Sequence, residues 1–286
     1  MKYAIVDIGS NSVRLMISQD LTTLEKFVET TALGQDLQRS GCLCDDAMAR
    51  TCEAIIKFVD YANQIECDKI LCFATEAVRS ARNGKEFVNM MAKRGVIVDV
   101  VASEMEAKLG FWGAYTDGVC CVLDIGGAST ELSVGRGDKI EYAKSLPIGL
   151  VRIKDACGED IDAIKKFSKE MLKGYGQLPP FDNFVGIGGT PTSFVAIANI
   201  LAVYDSKFVD RRIVTKQQIV QDTMRIHCMS MNERLCVAGL NERRRDVIVG
   251  GGILLASVMD YVGVEKIMAR ESDNQEGYLK HYLGLC

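Results

Sequence analysis

The chain has 286 residues, 48% hydrophobic and 25% charged, an ordinary globular balance that fits one large domain or two modest ones. Its 34 Lys and Arg against 38 Asp and Glu give a net charge of −4, which excludes the basic footprint of a nucleic-acid binder. No apolar run approaches the ~18 residues needed to span a bilayer, and the eleven cysteines, an odd number behind no export signal, are expected as reduced thiols in a cytoplasmic protein.

In chain order, Ala4–Val6 is an apolar, β-prone run ending at Asp7-Ile8-Gly9. It is followed by an alternating strand in which Ser12, Arg14 and Met16 share one face and Val13, Leu15 and Ile17 the other. Leu21–Leu33 suits a third strand. Asp45–Ile65 carries Met48, Cys52, Ile55, Ile56 and Val59 at helical spacing, with Asp45 placed to cap. A strand at Lys69–Ala74, a helix at Glu86–Arg94, a strand at Val96–Val101 and a helix at Ser103–Thr116 complete the first half. The second half opens with Cys121–Leu123, again an apolar strand, then a loop and an alternating strand. Helices are expected at Ile161–Gly174, Thr192–Leu201, Lys216–Cys228, Arg243–Tyr261 and Gln275–Leu283. Strands are expected at Asn183–Ile187 and Lys266–Ala269. The triplet Gly250–Gly252 predicts a kink or a close approach within the long helix. Strands alternating with helices argue for α/β layers.

The two halves are related. Tyr3–Ile17 reads YAIVDIGSNSVRLMI and Cys120–Val134 reads CCVLDIGGASTELSV, so Asp7 corresponds to Asp124, Gly9 to Gly126, Ser12 to Ser129 and Leu15 to Leu132. Two copies more than 100 residues apart are a domain duplication rather than a solenoid.

Three glycine loops follow apolar strands: Gly9-Ser10-Asn11-Ser12, Gly126-Gly127-Ala128-Ser129-Thr130 and Gly188-Gly189-Thr190. Glycine admits close approach of a ligand, and successive unpaired N–H groups cradle phosphate. Any one such loop is equally a hairpin turn; three, two of them duplicated, favour phosphate. Asp7, Asp124 and Glu131 flank these loops and would repel an anion unless a cation stood between them, which suits the oxygen ligands of Mg²⁺. Arg14 shares the Ser12 face and is counted with the phosphate contacts. Arg243–Arg245 is the densest basic cluster, read either as a solvated helix start or as a contact to a phosphate tail.

The order of these loops, together with Ala74-Thr75-Glu76-Ala77-Val78-Arg79 and Ser103–Lys108, resembles the exopolyphosphatase/guanosine-pentaphosphate phosphohydrolase (Ppx/GppA) family over nearly the whole chain. The resemblance implies an α/β fold of two ribonuclease-H-like domains of the actin-like ATPase superfamily, with a phosphate cleft between them. The expected boundaries are 1–117 and 118–274, with the C-terminal helix at 275–286 packing back on the first domain. It further implies Glu106 as general base, Arg79 as a cleft arginine, Asp124 and Glu131 beside the attacking water and Mg²⁺, and Asn11, Ser12, Gly127, Ser129 and Thr130 as phosphate contacts. Glu104 competes for the base role, but residues two apart on a helix point roughly 200° apart, so the pair cannot serve one cleft. Four departures from the family pattern are visible: Met105, Lys108, Ala128 and Gln275.

The reading is a Mg²⁺-dependent phosphoanhydride hydrolase acting on polyphosphate or a guanosine alarmone, with a homodimer left open and neither DNA nor membrane as partner. The alternatives are a catalytically weak sensor of the same ligands, favoured by the four departures, and an ATP-dependent phosphotransferase of the same superfamily.

Overall fold

A computed structural model describes residues 1–286. The first sheet is built from β1 (Lys2–Ile8), β2 (Ser12–Gln19), β3 (Thr22–Thr30), β4 (Lys69–Ala74) and β5 (Val98–Val100). Its strand order is β3-β2-β1-β4-β5, antiparallel through the first three and parallel from β1 to β5. Helices α1 (Leu37–Ser40), α2 (Asp45–Gln64), α3 (Glu76–Ser80) and α4 (Gly84–Ala92) accompany it. One face packs on α2 and α4 through Val6, Leu15, Ile55 and Phe87.

After α5 (Ser103–Ala114) the pattern repeats. The second sheet comprises β6 (Cys120–Ile125), β7 (Thr130–Arg136), β8 (Lys139–Leu146), β9 (Asn183–Ile187), β10 (Ile213–Thr215) and β11 (Lys266–Ala269), ordered β10-β11-β9-β6-β7-β8. Its outer helices are α6 (Leu150–Cys157), α7 (Ile161–Leu172), α8 (Gly189–Ala198), α9 (Ser206–Val209), α10 (Lys216–His227) and α11 (Ile248–Val262). The chain closes with α12 (Asn274–Tyr282). The β8-β7-β6-β9-β11 order reproduces β3-β2-β1-β4-β5, so the sequence echo is a repeat of topology.

The two sheets are separate, and α5 and α12 lie between them. Leu109 and Leu279 join Ile5 and Phe73 on the inner face of the first sheet, whereas Phe111 and Ala114 join Val122 and Ile187 on the second. The two helices cross with almost no side chain between them. A Cβ on Gly113 would fall 1.8 Å from the Asp273 carbonyl, and one on Gly277 1.9 Å from the Leu109 carbonyl. Glycine here makes room for backbone rather than a turn.

The start of one long helix differs from the sequence reading. The helix expected over Arg243–Tyr261 begins only at Ile248, and Glu242–Arg244 forms a separate 3₁₀ turn capped by the Asn241 side chain, which accepts from the Arg243 N–H. The helix α11 runs unbroken through glycines 250–252. They admit neighbours: a Cβ on Gly252 would lie 2.0 Å from Thr223 Oγ1. The strands β8 and β10 and the helices α1, α3, α6 and α9 have no counterpart in the sequence reading, although β8 alternates, with Ile140 and Tyr142 interleaved with Lys139 and Glu141. All eleven cysteines are free thiols, and no helix is long and apolar enough to cross a membrane.

Candidate functional site

The two duplicated loops face each other. A Cβ on Gly127 would sit 3.0 Å from Ser10 Cβ and 3.1 Å from the Asn11 nitrogen. Within each loop the first glycine closes a turn: Gly9 N–H donates to the Ser12 carbonyl (3.0 Å) and Gly126 N–H to the Ser129 carbonyl (2.9 Å). The next N–H groups, of Ser10 and Asn11 and of Gly127 and Ala128, donate to no acceptor in the chain. Orphaned backbone donors in adjacent pairs are the physical content of an anion nest.

None of Gly9, Gly126, Gly127 and Ala128 has a positive φ, so Ala128 fits its loop without backbone strain. The third loop differs: Gly188 has φ +76° and starts α8, whose first N–H groups are likewise unpaired. Thr190 Oγ1 is buried there without a partner. Thr130 Oγ1, by contrast, donates to the Ile148 carbonyl (2.5 Å), and Asn11 Nδ2 donates to Ser12 Oγ (3.3 Å).

Four acids line the same space. Glu106, one turn into α5, is only 6% exposed, while the rival Glu104 is 68% exposed at its side chain and pairs with Lys108 (2.7 Å) on the outer face. Burial raises Glu106 to a pKa of about 7, against the opposing pull of Arg79. Burial likewise raises Asp124 to about 6, opposed by Arg14, and lifts Glu131 well above the carboxylate range, with Glu106 adding to the rise. Glu131 Oε1 accepts from Ser145 (2.6 Å), whereas Glu131 Oε2 and Asp7 Oδ1 are buried without partners. No three His, Cys, Asp or Glu side chains gather into a chelating cluster by themselves.

The arginines divide into tied and untied. Arg79 Nη1 donates to Glu106 Oε2 (3.0 Å) and to the Val101 carbonyl (2.7 Å), and its Nη2 to Glu76 Oε2 (2.5 Å). It thus holds the buried glutamate in place. Glu76 Oε1 in turn accepts from Arg152 (2.8 Å), so the chain Glu106–Arg79–Glu76–Arg152 crosses from one domain to the other.

Arg14 Nε donates to Asp7 Oδ2 (2.9 Å) and its Nη1 to Asp273 Oδ2 (2.5 Å). A phosphate reaching Arg14 competes with both carboxylates. Arg244 is untied and half-buried over the third loop. It donates to no side chain or carbonyl, and it lies so close over the third loop that a Cβ on Gly189 would fall 1.6 Å from its Nη2. Burial pulls its pKa down to about 10, so it remains a cation at neutral pH. Of its neighbours, Arg243 donates to the Val28 carbonyl (3.0 Å), and the backbone carbonyl of Arg245 accepts from Arg234 (2.8 Å). Sequence reasoning left Arg244 inside an undivided cluster, and only the misplaced helix start hid it.

The four departures sit in packed or outward positions. Lys108 faces Glu104, Met105 packs on the cluster of Tyr3, Ile5 and Leu109, Ala128 is buried in its loop, and Gln275 Nε2 donates to the Ile5 carbonyl (2.7 Å).

A profile described as the Ppx/GppA phosphatase family matches residues 11–284. The bifunctional 3-dehydroquinate synthase/phosphatase of Fusobacterium nucleatum is 30% identical over 96% of the chain, which spans 45% of that protein's length. Exopolyphosphatase 2 of Mycobacterium tuberculosis is 25% identical, with 96% of this chain and 97% of that protein covered. Among solved structures, the Ppx/GppA member from Aquifex aeolicus superposes with a TM-score of 0.82 at 26% identity, covering 99% of this chain and 98% of that one.

Proposed function

The chain belongs to the Ppx/GppA phosphatase family, and from that membership and its cleft we propose that it hydrolyses terminal phosphoanhydride bonds of inorganic polyphosphate, of guanosine pentaphosphate, or of both. The observation that carries this reading is the pairing of two unpaired N–H nests, Ser10–Asn11 against Gly127–Ala128, beside a buried glutamate held by Arg79.

The terminal phosphates lie between the two nests and the start of α8, with Arg244 as the available guanidinium. Glu106 accepts a proton from a water placed in line with the terminal phosphorus. The water oxygen bonds to that phosphorus, the bridging P–O bond breaks, and orthophosphate leaves. General-base assistance of this kind contributes roughly 10²–10⁴-fold, with positioning and electrostatics supplying the remainder.

Mg²⁺ fits the donor set: Asp124 and Glu131 offer oxygen ligands from one hairpin, Asp7 stands nearby, and Glu131 Oε2 and Asp7 Oδ1 lack any donor. Bound there, it would offset the phosphate charge that these acids otherwise repel. The outward or packed placement of Met105, Lys108, Ala128 and Gln275 favours a working hydrolase over a sensor.

Phosphate release measured separately from polyphosphate, guanosine pentaphosphate and ATP with Mg²⁺ tests the proposal. Turnover of either of the first two, well above ATP, is expected. Tight binding without turnover would favour the sensor, and transfer from ATP to an acceptor would favour the phosphotransferase.

A further inference from the structure

The segment that returns from β11 into α12 places two adjacent side chains on the two duplicated strand ends. Asp273 Oδ2 accepts from Arg14, whose Nε and Nη2 also hold Asp7. Asn274 Nδ2 donates to Asp124 Oδ2 at 2.8 Å, in a contact 150 residues apart in sequence and fully buried. Equivalent aspartates are therefore treated differently. Asp7 is neutralised by a guanidinium. Asp124 is gripped by a neutral amide, which fixes the carboxylate while leaving its charge in place.

The grip also orients the group. With Oδ2 held, Oδ1 is turned towards Gly188, where a Cβ would come within 3.0 Å of it. The amide is itself confined, since its Oδ1 lies 2.8 Å from where a Cβ on Gly110 would be and is buried without a partner. Were the amide reversed, its oxygen would confront the Asp124 carboxylate. Gly110 lies on the same helix as Glu106, four residues on, so the helix that carries the buried glutamate also shapes the seat of the amide.

We infer that Asn274 is a positioning residue that presents Asp124 to a divalent cation. This rests on reading Asp124 as a cation ligand in the proposed hydrolase.

Mn²⁺ binding to the full chain, read by electron paramagnetic resonance without substrate, separates the possibilities. Wild type is expected to bind and Asp124→Asn to lose binding. Asn274→Leu, at unchanged melting temperature, is expected to raise the Mn²⁺ Kd about 10–100-fold, the range for removing a partner of a metal ligand. Gly110→Ala, which crowds the amide without removing it, is expected to shift the Kd in the same direction, and it carries the test if Asn274→Leu does not fold. A Kd within threefold of wild type for both variants, with Asp124→Asn still defective, would overturn the role of Asn274 and leave the cation reading standing. Binding that survives Asp124→Asn would remove the cation reading and this inference with it.

Discussion

Glu131 stands directly opposite Asp124 across the β6–β7 hairpin, the position that Arg14 takes opposite Asp7 across β1–β2. The duplication thus produced one ion pair and one pair of like charges at equivalent points. Like charges at opposed strand positions repel, and here both are buried, so the protein keeps protons on them or takes up a cation.

A divalent cation is therefore expected to stabilise the folded chain. Thermal unfolding in Mg²⁺ against a chelator checks this: the melting temperature rises with Mg²⁺, and the rise is larger at pH 8 than at pH 6, because protonated acids do not need the cation. Glu131→Gln is expected to shrink the effect.

The raised pKa of Glu106 has a definite sign for stability. Between its ordinary value of 4.5 and its folded value of about 7, the folded chain holds a proton that the unfolded chain has released. The stabilisation is complete below pH 4.5 and is lost as pH rises through 7. Glu106→Gln, which is neutral throughout, is expected to melt higher than wild type at pH 8, by at least about 2 °C given ~2–4 °C per kcal/mol for domains of this size, with the gap closing towards pH 5. Activity runs the other way: the base works only when ionised, so phosphate release is expected to climb through about pH 7 on the acid side.

Much of this was legible in local sequence. The strand-then-glycine pattern at Asp7-Ile8-Gly9 and Asp124-Ile125-Gly126 is set by neighbouring residues, whereas helical geometry says only that Glu104 and Glu106 cannot share one cleft, and the family resemblance is what picks Glu106. What remained hidden depends on contacts between distant positions. Arg79 meets Glu106 across 27 residues, Arg14 meets Asp273 across 259, and Asn274 meets Asp124 across 150. No spacing rule reports such pairs. The role of Arg244 was hidden by a boundary: apolar residues from Val247 onward suggested a helix that Arg243 would start, whereas the turn capped by Asn241 ends first.

Arg244 and Gly189 make a linked prediction. Arg244→Ala is expected to raise the KM for polyphosphate about 10-fold or more, the value of one charge-assisted hydrogen bond of about 1.5–3 kcal/mol. Gly189→Ala is expected to do the same by displacing the guanidinium, with circular dichroism unchanged. Steady-state kinetics that leave KM unaltered in both variants would exclude Arg244 from the phosphate site.

Gly113 tests the placement of the returning segment. Its Cβ would collide with the Asp273 backbone, which has no freedom to retreat. Gly113→Ala is expected to lower the melting temperature and to reduce turnover, because Asp273 and Asn274 move together. An alanine variant as stable and active as wild type would contradict the crossing of α5 and α12 described above.

The hydrolase reading stands or falls with Glu106 as the group that activates water. Single-turnover phosphate release from polyphosphate, compared between Glu106→Gln and Glu104→Gln, addresses it directly. A rate lowered roughly 100-fold or more is expected for Glu106→Gln, with polyphosphate affinity retained, and a rate within about threefold of wild type for the exposed Glu104→Gln. Equal and small losses in both, or a large loss confined to Glu104→Gln, would contradict it.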